Sequence, residues 1–83
     1  MNYIQDKEYK KIDFVKEPIE ATEFEDCVFE FCHFEKFNFS KFKFINCSFV
    51  ECNLSSVLLG GTFFQDVNFT NCKMIGLEFE HCS

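Results

Sequence analysis

The sequence predicts an all-β fold, a four-sided parallel β-helix that begins near Ile12 and continues to Ser83. Two regularities of spacing predict the winding: a large apolar residue stands at every fifth position from Phe24 onward, and the position two residues before each is apolar or Thr. A weaker, longer recurrence, in which Cys27 returns as Cys47, sets the number of sides. The predicted core ladder is Phe24, Phe29, Phe34, Phe39, Phe44, Phe49, Leu54, Leu59, Phe64, Phe69, Met74 and Phe79.

A repeat of five residues excludes both a helix and an uninterrupted strand. Five residues advance a side chain by about 140° around a helix, which scatters the Phe residues around its axis. Along a strand, residues two apart share a face, so Cys27 and Phe29 both point inward. Cys32 lies three residues beyond Phe29, and a straight strand turns it outward. The chain must therefore bend once in every five residues, which is typical of short parallel strands joined by regular corners.

A second, 20-residue period predicts four five-residue sides in each coil. At an interval of fifteen, which three-sided coils need, only Cys32 and Cys47 match. The recurrences at 20 are Cys27 with Cys47, and Cys32 with Cys52 and then Cys72, while Thr22 recurs as Thr62 at twice that interval. Successive coils then stack at about 4.8 Å, the spacing of paired strands. Two columns of rings are expected in the core: Phe24, Phe44 and Phe64, and Phe29, Phe49 and Phe69.

The chain resembles the pentapeptide repeat family, whose loose consensus is A(D/N)LXX. The units that carry the resemblance are CVFEF, CHFEK, FNFSK, FKFIN, CSFVE, CNLSS, VLLGG, TFFQD, VNFTN, CKMIG and LEFEH. It covers Ile12 to the end of the chain and implies a right-handed quadrilateral β-helix. Cys and Phe replace most of the expected Ala, and Glu17 at an inward small position predicts an irregular first coil. The consensus Asn or Asp is kept at Asp13, Asn38, Asn53 and Asn68.

The two ends of the chain are expected to differ from its middle. Residues 1–11 are polar and rich in Lys, and we expect them to form an N-terminal cap or extension over the first coil. Residues 12–83 form the β-helix, whose phase stops in mid-repeat, so we expect a fragment of a longer protein. An uncapped last coil exposes Leu77, Phe79 and a free strand edge. We therefore expect a homodimer through the C-terminal coil, unless a further segment caps it.

Cysteine, histidine and glycine form no pattern typical of catalysis or metal binding. His33 and His81 fall at outward positions on different sides, and Gly60 and Gly61 lie at a corner, where glycine relieves a backbone constraint. The cysteines stand at the inward small position with C-x4-C spacing, unlike a zinc knuckle, and we expect free structural thiols. They are Cys27, Cys32, Cys47, Cys52, Cys72 and Cys82. The sequence predicts no catalytic residue, no metal site, no cofactor and no enzymatic activity.

The charge balance narrows the classes of partner. Eight basic residues against 14 acidic ones give a net charge of −6, which does not favour binding to nucleic acid phosphates. No apolar stretch follows the first charged residues, and the longest mostly apolar run, 57–64, is too short to cross a bilayer. We expect a cytoplasmic protein that binds neither nucleic acid nor membrane. Its acidic surface suits either solubility or a basic protein partner.

The acidic residues concentrate on two adjoining sides of the predicted coil. Within residues 22–71 these two sides carry a net charge of −5. The candidate partner-binding residues are Glu23, Glu25, Asp26, Glu30, Glu51 and Asp66. Within the family, the sequence resembles the quinolone-resistance (Qnr-like) branch, whose acidic rods are thought to imitate duplex DNA. That resemblance implies a type II topoisomerase, DNA gyrase or topoisomerase IV, as the partner. The alternative is a structural or assembly module that binds another protein.

Overall fold

The computed structural model describes residues 2–77, which wind into a β-helix of four stacked layers. Its strands of three residues are β1 (Tyr3–Gln5), β2 (Glu8–Lys10), β3 (Glu23–Glu25), β4 (Val28–Glu30), β5 (Lys43–Ile45), β6 (Ser48–Val50), β7 (Phe63–Gln65) and β8 (Asn68–Thr70). They form two parallel sheets, ordered β1-β3-β5-β7 and β2-β4-β6-β8. Paired residues are 20 positions apart throughout, as Phe24 and Phe44 are. The 20-residue period is therefore the length of one coil.

The remaining two sides of each coil are joined by isolated parallel bridges. One side pairs Asp13 with His33, His33 with Asn53, and Asn53 with Lys73, and the other pairs Asn38 with Leu58. The four-sided parallel β-helix predicted from the two periods is confirmed. No stretch of residues 2–77 forms a helix long and apolar enough to span a bilayer.

A residue with positive φ forms the corner between successive sides. The left-handed conformation reverses the local direction of the backbone, which supplies the bend that a period of five requires. The corner residues are Asp6, Lys11, Asp26, Phe31, Lys36, Lys41, Asn46, Glu51, Ser56, Gly61, Asp66, Asn71 and Gly76. Non-glycine residues adopt this conformation at a cost of about 1–2 kcal/mol each. The ladder hydrogen bonds and the buried core must offset that cost.

The β-helix begins earlier than the sequence analysis predicted. Residues 1–11 were expected to form an N-terminal cap or extension, and residues 3–10 contain β1 and β2, which pair with β3 and β4. The physical reason is that Ile4 and Tyr9 keep the five-residue phase and therefore lie below Phe24 and Phe29 in the inward columns. The residues expected to cover the first coil are part of it.

The first coil becomes irregular after Asp13. The Asp13 carbonyl accepts hydrogen bonds from the backbone N–H groups of Lys16, at 3.2 Å, and Glu17, at 3.0 Å. The Glu17 side chain is exposed instead of lying at the inward small position. A carboxylate has no partner in an aromatic core, so the chain turns it out to water. The irregularity predicted from Glu17 is present as this turn.

Aromatic rings stack in columns along the interior. The Phe29 and Phe49 ring centroids are 4.8 Å apart with the planes at 7°, and those of Phe49 and Phe69 are 5.3 Å apart at 10°. The column of Phe24, Phe44 and Phe64 is stacked in the same way. Rings in adjacent columns meet edge to face, as Phe24 and Phe29 do at 71°. Each such pair adds about 0.5–1.5 kcal/mol beyond its area burial.

The core ladder is closed to solvent in the middle layers and opens toward the last. Eight ladder residues are at most 6% exposed: Phe24, Phe29, Phe34, Phe39, Phe44, Phe49, Leu54 and Leu59. Phe64, Phe69 and Met74 are only partly buried. Phe79 lies outside the described residues. The best-protected rings are therefore those with a coil both above and below.

The inward small position holds hydrogen-bond donors. Cys47 Sγ donates to the Phe24 carbonyl at 3.4 Å, and Thr62 Oγ1 donates to the Phe39 carbonyl at 2.8 Å, each in the coil below. The same contact, 23 residues back, is made by Cys27 to Ile4, Cys32 to Tyr9, Cys52 to Phe29 and Cys72 to Phe49. These five cysteines are free thiols, and Cys82 lies outside the described residues. Cysteine thus fills a small apolar space and satisfies a carbonyl.

Three of the four buried thiols, Cys27, Cys47 and Cys52, are held in the neutral form, whereas the hydrogen bond with Cys52 lowers the pKa of Cys32 to about 7. Burial raises the pKa of Cys47 from 9.0 to about 11. The hydrogen bond with Cys32, together with burial, raises the pKa of Cys52. Burial also raises the pKa of Cys27. Because the thiolate is the nucleophile, these three side chains are unreactive near neutral pH while the chain is folded.

Phe49→Ala should lower the free energy of unfolding by about 3–5 kcal/mol, because it removes a buried ring stacked on both faces. Urea denaturation followed by circular dichroism measures the change. Phe31→Ala is the control, since the Phe31 ring is 51% exposed, and it should change stability by about 0.5 kcal/mol or less. Equal losses in the two variants would contradict the stacked core.

Gly61→Ala should destabilise the protein by about 1 kcal/mol, because an alanine is strained at the φ of 75° that this corner requires. A steric clash is not the reason for the loss of stability, since the added Cβ would lie 3.5 Å from Lys41 Cγ, an ordinary van der Waals distance. Gly60→Ala is the matched control, because Gly60 lacks a positive φ. Thermal melting of the two variants should rank Gly61→Ala lower, and the reverse order would show that the corner tolerates a side chain.

Alkylation at pH 8 should label Cys72 before the four buried thiols, which react only as fast as the core opens. Mass spectrometry of peptides after timed labelling gives the order. After denaturation without reductant, all six cysteines should react, and fewer than six would reveal a disulfide.

Raising the pH through the range from 9 to about 11 should lower the free energy of unfolding, because the thiols of the unfolded chain lose their protons at a lower pH than Cys47 does in the folded chain.

Candidate partner-binding surface

The sheet β1-β3-β5-β7 places most of the predicted site residues on one side of the stacked coils. Each strand has its central residue inward, so the two flanking residues and the following corner face solvent. The outward acids on this side are Asp6, Glu23, Glu25, Asp26 and Asp66, opposed by Lys43 alone, which gives a net charge of −4. We call this side the acidic face.

Two hydrogen bonds between coils hold carboxylates of the acidic face in place. The Tyr3 hydroxyl donates to Glu25 Oε1 at 2.7 Å, and Asn46 Nδ2 donates to Asp26 Oδ1 at 2.6 Å. The hydrogen bond with Glu25 raises the pKa of Tyr3 to about 12, because the carboxylate favours the protonated phenol. Asp26 and Asn46 belong to the corner column that also contains Asp6 and Asp66. Asn46 therefore separates Asp26 from Asp66 and reduces repulsion along the column.

The single lysine of the acidic face contacts an aromatic ring. Lys43 stands between Glu23 and Phe63 in the parallel register. Its Nζ lies 5.8 Å from the Phe63 ring centroid, within the range of a cation–π contact. The positive charge thus has a partner in the layer above, on the side away from Glu23.

The adjoining side, which carries β2-β4-β6-β8, is neutral overall. Glu30 and Glu51 were expected to extend the acidic surface, and both face solvent or are partly exposed. Below them, the first coil adds lysines, with Lys10 directly opposite Glu30 in the register. The charged residues of this side are Lys7, Glu8, Lys10, Lys11, Glu30 and Glu51. The structure thus brings together Glu23, Glu25 and Asp26 and places Asp66 two coils above them. It places Glu30 opposite Lys10, and Glu51 on the same neutral side.

Asp6 is the acidic residue that sequence reasoning missed. It was assigned to a cap, and the structure places it at the corner below Asp26. The sequence feature that could have identified Asp6 is the position of Ile4, an apolar residue 20 positions, or one full coil, before Phe24. Extending the repeat by one coil moves Asp6 to the acidic face and three lysines to the neutral side.

The described residues contain no arrangement typical of catalysis or metal binding. Within residues 2–77, no three side chains of His, Cys, Asp or Glu come together in a way that holds a metal ion. His33 is partly buried, and its Nδ1 lies 3.5 Å from Asn53 Nδ2 in the next coil. In the same range, every buried side-chain nitrogen and oxygen has a hydrogen-bond partner. His81 lies outside the described residues.

The expected homodimer contact lies at the far end of the rod. Phe64, Phe69 and Leu77 are partly buried there and belong to the same hydrophobic cluster as the middle layers. The rest of that contact falls in residues 78–83, outside the described part of the chain. Association through the C-terminal coil stays a prediction.

Comparison with known proteins agrees with the geometry of the coils. No curated protein matches the chain. The sequence model of a family described as a pentapeptide repeat region matches residues 22–83, which is most of the chain and includes strands β3 to β8. The five-residue phase, the 20-residue register and this match lead to one conclusion. The chain belongs to the pentapeptide repeat family.

Proposed function

We propose that the chain is a non-enzymatic protein-binding module whose acidic face takes the place of duplex DNA on a basic protein surface. The pentapeptide repeat fold is often a protein-interaction module and is generally non-catalytic. The proposed partner is a type II topoisomerase, DNA gyrase or topoisomerase IV, as the resemblance to the Qnr-like branch implies. The observation that carries the proposal is the net charge of −4 on one side of the four stacked coils.

The linear charge density of the acidic face supports this proposal. Four layers at about 4.8 Å span about 14 Å between the first and the last, so the face carries about one net charge per 3.6 Å. The phosphates of one DNA strand repeat at about 3.4 Å along the helix axis. A basic surface that binds one strand of a duplex therefore meets a similar average density on this side of the rod. The neutral side does not offer that density.

Rigidity of the carboxylates favours binding as well. Glu23 and Glu25 are carried by a strand of a four-stranded sheet, and Glu25 and Asp26 also accept hydrogen bonds from Tyr3 and Asn46. Groups that are fixed before binding lose less conformational entropy when the partner docks. Charge of one sign also steers a basic partner toward the face and accelerates association at low salt.

A supercoiling assay with purified DNA gyrase and a fluoroquinolone tests the proposal most directly. The chain should bind gyrase and change the drug concentration that inhibits supercoiling, and the binding should weaken as salt is raised. Absence of binding at low salt, with supercoiling and drug inhibition unchanged, would favour the alternative of a structural or assembly module with another partner.

Reversing charge on the acidic face should weaken gyrase binding. Glu23→Lys combined with Asp66→Lys changes two exposed residues, and each reversal at about 1.4 kcal/mol gives about 100-fold weaker binding for the pair. The lysine introduced at the Asp66 corner is tolerated, because Lys36 and Lys41 adopt the same left-handed conformation. Titration measured by fluorescence anisotropy or calorimetry gives the two affinities.

Glu17→Lys combined with Glu35→Lys is the matched control, since it makes the same change in net charge at exposed positions away from the acidic face. The control should bind nearly as well as the unaltered chain. Equal weakening by both pairs would show that total charge matters and that the acidic face is not the contact surface.

A further inference from the structure

Three cysteines form a column inside the stack. Cys32, Cys52 and Cys72 stand at the same inward small position of successive coils. The backbone register is fixed at this position, because the Asn53 N–H donates to the Cys32 carbonyl at 3.1 Å. The Lys73 N–H donates to the Cys52 carbonyl in the same way, at 2.9 Å. The contact between the second and third coils at Cys32 and Cys52 therefore lies in the interior of the described residues.

The thiols of Cys32 and Cys52 are neighbours. Each residue is 2% exposed, and a hydrogen bond joins the two thiols. Both are free in this structure. Paired residues of adjacent strands have Cα atoms about 4.8 Å apart, which lies within the range of about 4.4–6.8 Å found for disulfides. A bond between the two sulfur atoms therefore requires rotation of the side chains and no change of register.

The backbone around this pair is joined less extensively than the backbone around the neighbouring pair, Cys27 and Cys47. The side of the coil that follows Cys32 is joined to the adjacent coils by isolated bridges. The side that follows Cys27 carries β4, which pairs with β6 over three residues. A shorter ladder opens locally at a lower cost in free energy. A small reagent therefore reaches Cys32 and Cys52 more often than it reaches the other pair.

The two pairs also differ in acidity. The hydrogen bond with Cys52 lowers the pKa of Cys32 to about 7, whereas burial raises the pKa of Cys27 and that of Cys47. The thiolate is the form of cysteine that oxidants attack. Cys32 is thus the buried cysteine with the largest thiolate fraction near neutral pH.

We propose that Cys32 and Cys52 are an oxidation site, at which hydrogen peroxide converts the two thiols into a disulfide between the second and third coils. The Cys32 thiolate attacks one peroxide oxygen and the O–O bond breaks, which leaves Cys32 as a sulfenic acid and releases hydroxide that takes up a proton. The Cys52 sulfur then attacks the Cys32 sulfur and forms the S–S bond. The sulfenic hydroxyl leaves with the Cys52 proton as water. Two thiols are oxidised by two electrons, and one peroxide is reduced to two water molecules.

The disulfide changes how the coils separate. It closes a ring that contains one complete coil, since Cys32 and Cys52 are 20 positions apart. Such a ring restricts the unfolded chain, so the oxidised protein should be the more stable form. A dithiol reductant breaks the bond and restores both thiols. The inference is independent of the gyrase proposal, because it concerns only the interior of the chain.

Peroxide treatment of the reduced chain tests the inference. The protein is exposed to hydrogen peroxide at pH 7 at low protein concentration, then denatured and alkylated. Cleavage after Glu and Asp places each cysteine in a peptide of its own. Mass spectrometry should find the peptides of Cys32 and Cys52 joined, with Cys27 and Cys47 alkylated. The oxidised chain should melt about 10 °C higher, and dithiothreitol should reverse the shift.

Cys27→Ala is the matched control for Cys32→Ala, since each removes one buried thiol from the same inward position of neighbouring columns. Cys27→Ala should keep the cross-link and the rise in melting temperature, and Cys32→Ala should lose both. The joined peptides are read from the unaltered chain, so the test does not depend on the folding of either variant. Absence of a cross-link, joining of Cys27 to Cys47 at an equal rate, or joining of Cys52 to Cys72 instead would overturn the proposal.

Discussion

A left-handed backbone conformation, which recurs at every fifth residue from Asp26 to Gly76, is the constraint on which the rest of the structure depends. It ends each three-residue strand and turns the chain so that Cys32, three residues beyond Phe29, faces inward again. Because every side has the same length, successive coils superimpose, and rings at equivalent positions stack. Even the bulky Phe31 adopts this conformation, with a φ of 53°. Its strain is tolerated because the corner also aligns the hydrogen bonds of two neighbouring sides.

The middle of the fold could be predicted from the sequence because each five-residue unit has two inward apolar positions, and both indicate the same phase. Phe24, Phe44 and Phe64 share a column for the same reason that they share a phase. The first coil was not recognised because only one of its two inward positions per unit is apolar. Ile4 and Tyr9 keep the phase, while Asn2 and Lys7 stand at the inward small positions. The bonds from thiols to carbonyls were also beyond sequence reasoning. Spacing places Cys47 inside, but only the approach of adjacent coils brings its sulfur to the Phe24 carbonyl.

The candidate surface depends on where the stack begins, and for that reason it was predicted only in part. The faces of Glu23, Glu25 and Asp26 follow from alternation along β3 and from the corner after it. The net charge of each complete side depends on the first coil, since Asp6 adds to one side and Lys7, Lys10 and Lys11 to the next. A shift of one coil in the assumed start thus changes two adjoining acidic sides into one acidic face and one neutral side.

The fixed register between coils determines which changes of chain length the rod accommodates. Inserting or deleting a single five-residue unit in the middle of the stack preserves the inward phase but rotates everything beyond it by one side, about a quarter turn. Asp66 would then leave the column of Asp6 and Asp26, and the acidic face would be broken in two. A change by one whole coil adds or removes a layer and leaves each column on its original side. Lengths that differ by whole coils therefore preserve the pattern of surface charge, whereas lengths that differ by single repeats redistribute it around the axis.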